Sequence, residues 1–441
     1  MVFAGFSVQV SVWNALNDAQ PSTPRRRAPS PPLKPFPRPT ADRPLLVIQN
    51  RCAIPAGAAA RALLLLFSLA ACRASDGPQQ GVDGTIVIGV GAIPGSPGYD
   101  DVVRGVELAT ERLNAASALR FRSRTPKPGA TGAVQIAQQL SADPEVIAVV
   151  GHPESGNTIE VLPVYADAEH GGANGVVAIS PTASSPQLSG VSPWFFRVAP
   201  SDNDAARVTA QWALDSLSAK RAAIVYRNDS YGRDWADTFA KAFTSNGATV
   251  IAREPYLTGV VEWDAYAQLL ARIRPDVVLF PGDANDALAF IRALKAHGVT
   301  APFIGGDGVE QINQHADAIG ARYVAFFRAD RATSPEALWF LSHYRERFKR
   351  DPDMFAALSY DAAIVMGRTI INGARSRAAL RIALEKIGNG APSVDGVAGR
   401  IAFERNHDIK GRSVVIVRVD RVRGKTAAAA DSTDTPDGGA D

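Results

Sequence analysis

Polar and aromatic side chains directly follow several short apolar runs of this sequence, and they form two sets with different chemistry. In the first half, the segments 151–156 (GHPESG) and 180–185 (SPTASS) offer hydroxyls beside the expected starts of helices. Hydroxyls at helix N-termini favour an anion such as a carboxylate. The second half offers rings and carboxylates, which favour an ammonium group, in segments 227–232 (RNDSYG), 281–283 (PGD) and 305–308 (GGDG). Together the two sets predict a zwitterionic ligand.

The apolar runs themselves have the character of buried parallel strands. They are continuous and rich in β-branched residues, at 86–90, 146–150, 176–179, 222–226, 277–280 and 303–304. Segments with helical periodicity separate them, at 102–113, 133–140, 235–243, 266–273 and 287–295. This alternation indicates parallel sheets covered on both faces, so the predicted fold class is α/β and doubly wound. Ligands of such sheets bind beyond the carboxyl ends of the strands.

A chain of this length favours two sheets over one. The strand series pauses at 194–202 and resumes with a helix that Ser201 or Asp202 would cap, which predicts a crossover into a second lobe. A further apolar run at 323–327 precedes two long helices and a final strand, expected at 335–350, 355–372 and 413–419. The expected domains are lobe 1, from 85–200 plus 330–411, and lobe 2, from 201–329 plus 412–420. Residues 421–441 have the composition of a disordered tail.

The N-terminal end has the composition of a leader. Proline is dense in 20–44, and an apolar run at 62–71 follows basic residues and ends at Cys72. The run is about half of the ~20 residues needed to span a bilayer, so it predicts a signal peptide. The segment 69–72 (LAAC) is similar to a bacterial lipobox, which implies lipidation of Cys72; a leader that merely ends in Cys is the alternative. We expect residues 1–50 to be disordered or not made, 51–71 to be the signal peptide and 72–84 a linker.

Composition excludes several classes of protein. The 441 residues include 47 basic and 44 acidic ones, a net charge of +3 that does not suggest nucleic-acid binding. Two Cys, three Met and six His leave little for a disulfide framework or a metal site. No hydrolase elbow, zinc-protease motif or phosphate loop occurs. Segment 89–95 (GVGAIPG) mimics a dinucleotide fingerprint but has Pro94 where the third glycine belongs. We therefore expect no enzyme, no cofactor and no metal.

From Gly84 to Val419 the chain resembles the type 1 periplasmic solute-binding proteins of the leucine/isoleucine/valine class. Five segments carry the resemblance, in family order: 87–95 (VIGVGAIPG), 149–155 (VVGHPES), 178–188 (AISPTASSPQL), 222–232 (AAIVYRNDSYG) and 303–309 (FIGGDGV). The family implies two doubly wound parallel-sheet lobes joined by a three-segment hinge, with crossings near residues 200, 329 and 411. It also implies that the protein is a monomer and serves as the substrate-binding protein of an ABC transporter. Such a protein binds an amino acid and delivers it to the permease of the transporter.

The resemblance implies roles for single residues at the ligand. Ser155 and Ser184 would bind the α-carboxylate, and the backbone carbonyl of Thr182 would take the ammonium group. Asp307 would pair with the same ammonium group, and Tyr231 would close over the ligand from the second lobe. Two positions match less closely, namely Tyr99, near the place of another such tyrosine, and Phe355, a candidate pocket wall.

Simpler interpretations exist for these positions. Ser155 and Ser184 could be helix N-caps, Asp307 a turn residue, Tyr231 a core aromatic and His152 a structural polar residue.

Asp283 departs from the family, which often has tyrosine at this position. A ligand with a branched aliphatic side chain would bury this second carboxylate without a partner. Burial of an unpaired carboxylate is energetically unfavourable. Asp283 therefore predicts a polar or cationic amino acid, or a related amide, over leucine or valine. Alternatively, Asp283 turns away and pairs with an arginine such as Arg292.

Two function classes follow from these features. The first is a ligand-binding lipoprotein of the cell envelope, in the periplasm or on the cell surface, anchored in the membrane at Cys72. The second is an envelope lipoprotein that uses the same fold to activate a cell-wall synthase and transports nothing. A polar, ligand-shaped cleft favours the first, and recovery of a synthase in a pull-down would favour the second.

Overall fold

The computed structural model describes residues 84–259 and 261–422. The predicted leader, signal peptide, linker up to residue 83 and lipidated Cys72 lie outside these residues, as does the predicted tail from residue 423 onward.

The first sheet has five strands, all parallel, in the order β2-β1-β3-β4-β5. They are β1 (Thr85–Gly91), β2 (Arg120–Arg124), β3 (Val146–Gly151), β4 (Val177–Ser180) and β5 (Phe195–Arg197). The strands β1, β3 and β4 are buried along their whole length. Burial on both faces explains why these three strands are continuous apolar runs rather than alternating ones.

Three helices of the first half accompany this sheet: α1 (Tyr99–Ala116), α2 (Ala133–Ala142) and α3 (Ser155–Tyr165). The chain then forms α4 (Asp202–Leu217), which begins after Ser201. The Ser201 hydroxyl accepts a hydrogen bond from Asn203 N at 3.3 Å, so Ser201 and not Asp202 caps this helix.

The second sheet has six strands in the order β13-β10-β9-β8-β6-β7. They are β6 (Arg221–Arg227), β7 (Thr249–Tyr256), β8 (Val277–Phe280), β9 (Phe303–Gly305), β10 (Arg322–Ala325) and β13 (Val415–Arg418). Its helices are α4, α5 (Ser230–Ser245), α6 (Trp263–Ile273) and α7 (Ala284–Ala296). The strand β13 runs antiparallel to β10, so the expectation of purely parallel sheets is wrong at this edge.

The chain returns to the first sheet with α8 (Pro335–Phe348), α9 (Met354–Ile371), α10 (Arg377–Lys386) and the two-stranded β11 (Val394–Asp395) and β12 (Arg400–Ile401). Helix α9 is long and apolar enough to cross a membrane, but 83% of it is buried inside the protein, as in a core helix. It packs closely on α1 because glycines lie at the contact. A Cβ at Gly105 would lie 2.3 Å from Ala356 O, and one at Gly367 would lie 2.1 Å from Leu113 Cδ1.

The polypeptide passes between the two sheets three times. The first passage joins β5 to α4, the second joins β10 to α8, and the third joins β12 to β13. We call the part built on β1–β5 lobe 1 and the part built on β6–β10 and β13 lobe 2. This arrangement confirms the predicted fold class of two α/β lobes joined by three segments.

Candidate functional site

A cavity of about 70 Å³ lies at the carboxyl ends of strands from both lobes. Its walls combine residues that follow β3 and β4 in lobe 1 with residues that follow β6, β8 and β9 in lobe 2. They are Pro97, Pro153, Glu154, Ser155, Thr182, Arg227, Tyr231, Gly282, Asp283, Asp307, Gly308 and Phe355. Two larger grooves, of about 610 and 620 Å³, lie entirely on lobe 1 and collect no polar groups from the second lobe. The small cavity is the candidate site because polar residues that follow strands of both sheets line it.

Ser155 is the first residue of α3 and its side chain is buried. Its hydroxyl oxygen accepts hydrogen bonds from Ser184 N at 3.2 Å and Ser185 N at 3.1 Å. The residue at the cap position is Glu154, whose side chain makes no capping bond. The N-cap interpretation of Ser155 is therefore wrong. Since a hydroxyl has one proton and two lone pairs, Ser155 can still donate one bond towards the cavity.

Ser184 is not a helix cap either. The residue that caps the short helix Pro186–Leu188 is Ser185, which accepts a hydrogen bond from Gln187 N. The Ser184 hydroxyl is buried and has no hydrogen-bond partner among the described residues. Buried hydroxyls are normally paired, so Ser184 is a group that a ligand or a water molecule can satisfy. Ser184 itself is not among the residues that line the cavity.

Thr182 lines the cavity, but its side chain is already engaged. Its hydroxyl donates to Pro153 O at 2.8 Å and fixes the loop after β4 against the loop after β3. The predicted role of the Thr182 carbonyl therefore does not depend on its side chain, and it stays a prediction.

Asp307 and Tyr231 form the acidic side of the cavity in lobe 2. The Tyr231 hydroxyl donates to Asp307 Oδ1 at 3.0 Å and accepts from Gly308 N at 3.3 Å. Burial raises the pKa of Asp307 to about 6. Asp307 is only 3% exposed, unlike an ordinary surface turn residue, while Tyr231 packs in the core and also lines the cavity. A side chain at Gly306 would clash, because its Cβ would lie 2.3 Å from the Tyr231 hydroxyl.

The sequence interpretation missed Asp202, which was considered only as a possible cap. Its side chain is completely buried, and neither carboxylate oxygen has a hydrogen-bond partner among the described residues. Its backbone N donates to Ser184 O at 2.8 Å, so it lies beside the unpaired Ser184 hydroxyl. Burial, and then the negative charge of Asp307, raise the pKa of Asp202 well above its usual value. Asp202 and Asp307 are thus an acidic pair that a cation would stabilise.

Asp283 faces the cavity and caps α7, where its Oδ1 accepts from Asp286 N at 3.0 Å. Its other oxygen lies 3.7 Å from Arg227 Nη1. The proposed alternative pairing with Arg292 is wrong, because Arg292 forms an ion pair with Asp317. The expectation of an unpaired carboxylate also needs correction, because Arg227 partly compensates Asp283. Nothing in the sequence indicated that Arg227, the last residue of β6, would lie close to Asp283.

Two further expectations concern aromatic walls. Phe355 lines the cavity and packs against Gly98, where a Cβ would lie 2.8 Å from its ring and φ is 78°. Tyr99, the first residue of α1, is half-buried and is not among the lining residues. The structure therefore does not bring Tyr99 into the cavity, whose wall near Gly98 is formed by Pro97 and Phe355.

His152 is a structural residue, as one interpretation had it. It is fully buried, and its Nε2 lies 3.0 Å from the Tyr165 hydroxyl. Burial lowers the pKa of His152 to about 3, so the ring is neutral at physiological pH.

Hydrogen bonds also join the lobes outside the cavity walls. The Gln187 amide of lobe 1 donates to Asp234 of α5 at 3.0 Å, and the Ser185 hydroxyl bonds the same carboxylate. Elsewhere Glu310 Oε2 of lobe 2 accepts from Met354 N, at the start of α9, at 2.7 Å. Any movement that separates the lobes must break these bonds, so they stabilise the closed arrangement.

Comparison with known proteins agrees with this architecture. The model of the periplasmic binding protein family matches residues 94–427. An amino acid binding protein from Pseudomonas aeruginosa is 27% identical over 332 residues, which are 72% of this chain and 84% of that protein. A Leu/Ile/Val-binding protein homolog from Brucella melitensis is 27% identical over 63% of this chain and 74% of its own length. The isoleucine complex of LivJ from Streptococcus pneumoniae is 21% identical, with a TM-score of 0.68 over 77% of this chain and 98% of that one.

Two lobes with a polar cavity between their sheets agree with the match to this family. The chain belongs to the periplasmic binding protein family.

Proposed function

We propose that this protein binds an α-amino acid between its lobes, without catalysis, and delivers it to the permease of an ABC transporter. The observation that carries the proposal is the buried acidic pair of Asp307 and Asp202, neither of which forms an ion pair within the described residues. Asp307 lines a cavity whose opposite wall is the start of α3, and the charge of Asp307 acts on Asp202. Their raised pKa values show that the ionised forms are unfavourable in the ligand-free fold, and an ammonium group would stabilise the ionised form.

The carboxylate of the ligand would bind at the start of α3. The first N–H groups of a helix have no partner within the helix and attract anions. The Ser155 hydroxyl adds a donor at the same place, and the Ser184 hydroxyl adds a second. Asp307 and the Thr182 carbonyl would hold the ammonium group, so each lobe would contribute to recognition of the α-carbon substituents.

Closure of the lobes would complete the site. At about 70 Å³ the cavity is small for an amino acid, so we expect the lobes to part when one enters. Opening would break the contacts of Asp234 and Glu310 across the lobes. A bound ligand would favour the closed state, because it contacts both lobes only in that state.

A ligand screen tests the proposal. The protein is purified, unfolded and refolded to remove bound ligand, and then heated with each of the proteinogenic amino acids. A tight ligand raises the apparent melting temperature by mass action. Mass spectrometry of the small molecules that copurify with the untreated protein provides an independent assay. The proposal fails if no amino acid stabilises the protein and none copurifies with it.

The substitution Ser155→Ala should weaken amino-acid binding about tenfold to a hundredfold. The loss corresponds to one hydrogen bond to a charged group, about 1.5–3 kcal/mol. Calorimetry measures the change, and Ser245→Ala, at the exposed end of α5, is the control that should bind normally. The substitution should also lower stability, because the amides of Ser184 and Ser185 lose their acceptor. An unchanged dissociation constant would assign Ser155 a purely structural role.

We also propose that Cys72 carries a lipid that anchors the protein in the cell envelope. The support is the LAAC segment at the end of the apolar run. Two acyl chains are enough for stable anchoring, so Cys72→Ser should move the protein from the membrane fraction to the soluble fraction of a bacterial host. The second cysteine provides a matched control, since Cys52→Ser should remain in the membrane. A wild-type protein without lipid in that host would contradict the proposal.

A further inference from the structure

Three carboxylates and one guanidinium group lie at or beside the cavity, and two of the carboxylates are close to the guanidinium group. Glu154 comes from lobe 1, and Asp229 and Asp283 come from lobe 2. Arg227 Nε lies 2.5 Å from Asp229 Oδ2, and Arg227 Nη1 lies 3.7 Å from Asp283 Oδ2. These four side chains carry one positive and three negative charges when all are ionised, so their net charge is negative.

Glu154 is the least compensated of the three carboxylates. It makes no capping bond to α3, and its Oε2 accepts from Asn157 Nδ2 at 3.2 Å. Within the described part of the chain, no Lys or Arg nitrogen lies within 4.0 Å of it. Burial raises the pKa of Glu154, the charge of Arg227 opposes this effect, and the charges of Asp229 and Asp283 add to it.

Negative charges from both lobes line the same cavity in this arrangement. Glu154 belongs to the loop before α3, whereas Asp283 begins α7 in the other lobe, and both line the cavity. Like charges that approach in a partly dehydrated space repel, and an apolar ligand side chain would only remove more water from them. A positive charge between them would reverse the sign of the interaction.

We infer that the ligand is an amino acid with a basic side chain, whose second cation binds between Glu154 and Asp283. This inference rests on the proposed function and specifies its ligand class. An acidic side chain is disfavoured because Arg227, the cation of this wall, already lies against Asp229 and Asp283. Glu154 is thus the specificity-determining residue of lobe 1, and it recognises the side chain rather than the α-carbon groups.

Calorimetry with L-lysine and L-norleucine tests the inference, since norleucine has the same carbon chain without the second ammonium group. We expect lysine to bind at least tenfold more tightly than norleucine. The substitution Glu154→Gln should weaken lysine binding about tenfold or more and change norleucine binding less than about threefold. A second variant, Asp283→Asn, should also weaken lysine binding, and its asparagine can still cap α7. The exposed Glu169→Gln is the control.

Each outcome separates the inference from the proposed function. If norleucine or leucine binds as tightly as lysine, or if Glu154→Gln does not affect lysine, the inference is wrong and the function stands. If glutamate binds most tightly, Arg227 recognises the side chain and the inference is also wrong. If neither lysine nor norleucine nor any other amino acid binds, the proposed function itself fails.

Discussion

The substitution Asp307→Asn should reduce the affinity for the amino acid about 100-fold or more. Asp307 is 3% exposed, and removal of one partner of a buried charge pair costs about 3–5 kcal/mol. Asparagine keeps the oxygen that accepts the Tyr231 hydrogen bond, so the loss reports the charge and not the shape of the site. Calorimetry or ligand-induced stabilisation measures the effect, and the exposed Asp317→Asn in the same lobe is the control.

The pH dependence of binding provides a second measure of the same site. Burial raises the pKa of Asp307 to about 6 in the ligand-free fold. A raised pKa favours the protonated form, so this group stabilises the ligand-free fold at low pH, and the contribution is lost as pH rises through about 6. An ammonium group requires the ionised form. Affinity should therefore rise with pH through about 6, and Asp307→Asn should flatten this dependence. Tight binding that is unchanged by the substitution would rule out the ammonium site.

The sequence predicted most of the buried strands, but not β5, which lies in the segment where the strand series pauses. The strands β1, β3, β4, β6 and β8 are almost entirely apolar, and such runs stand out in a sequence. The edge strands β2 and β7 were missed, because they are partly exposed and carry charged residues, as in Arg120–Arg124. Their position depends on pairing with β1 and β6, which no local pattern reveals.

Part of the candidate site could also be predicted from the sequence. Ser155, Thr182, Tyr231, Asp283 and Asp307 each follow a strand, and parallel topology alone brings the carboxyl ends of such strands to one edge.

Asp202 and Arg227 were not predictable in this way. An acid after a serine cap is a common first-turn residue, and only its complete burial distinguishes Asp202. The role of Arg227 depends on the approach of Asp283 from another strand.

A buried ion pair joins two of the three segments that connect the lobes. Asp361 of α9 and Arg412 lie 3.1 Å apart, with side chains 0% and 1% exposed. Asp361 also accepts hydrogen bonds from the backbone N–H groups of Val397 and Ala398. Arg412, on the third segment, donates to Val198 O of the first segment at 3.2 Å. The pair therefore fixes both segments to the central helix of lobe 1.

The substitution Arg412→Met should lower the free energy of unfolding by about 3–5 kcal/mol, because it leaves Asp361 buried without its partner. Burial lowers the pKa of Arg412 and raises that of Asp361, as expected for charges that depend on each other. Urea unfolding measures the loss, and Arg418→Met, which removes an exposed pair with Asp420, should change stability by less than about 1 kcal/mol. The double substitution Asp361→Asn with Arg412→Met should recover part of the loss, because asparagine carries no charge and keeps an oxygen that can accept the hydrogen bond from Val397 N. A loss below about 1 kcal/mol for Arg412→Met alone would show that water or a shift of the chain compensates Asp361.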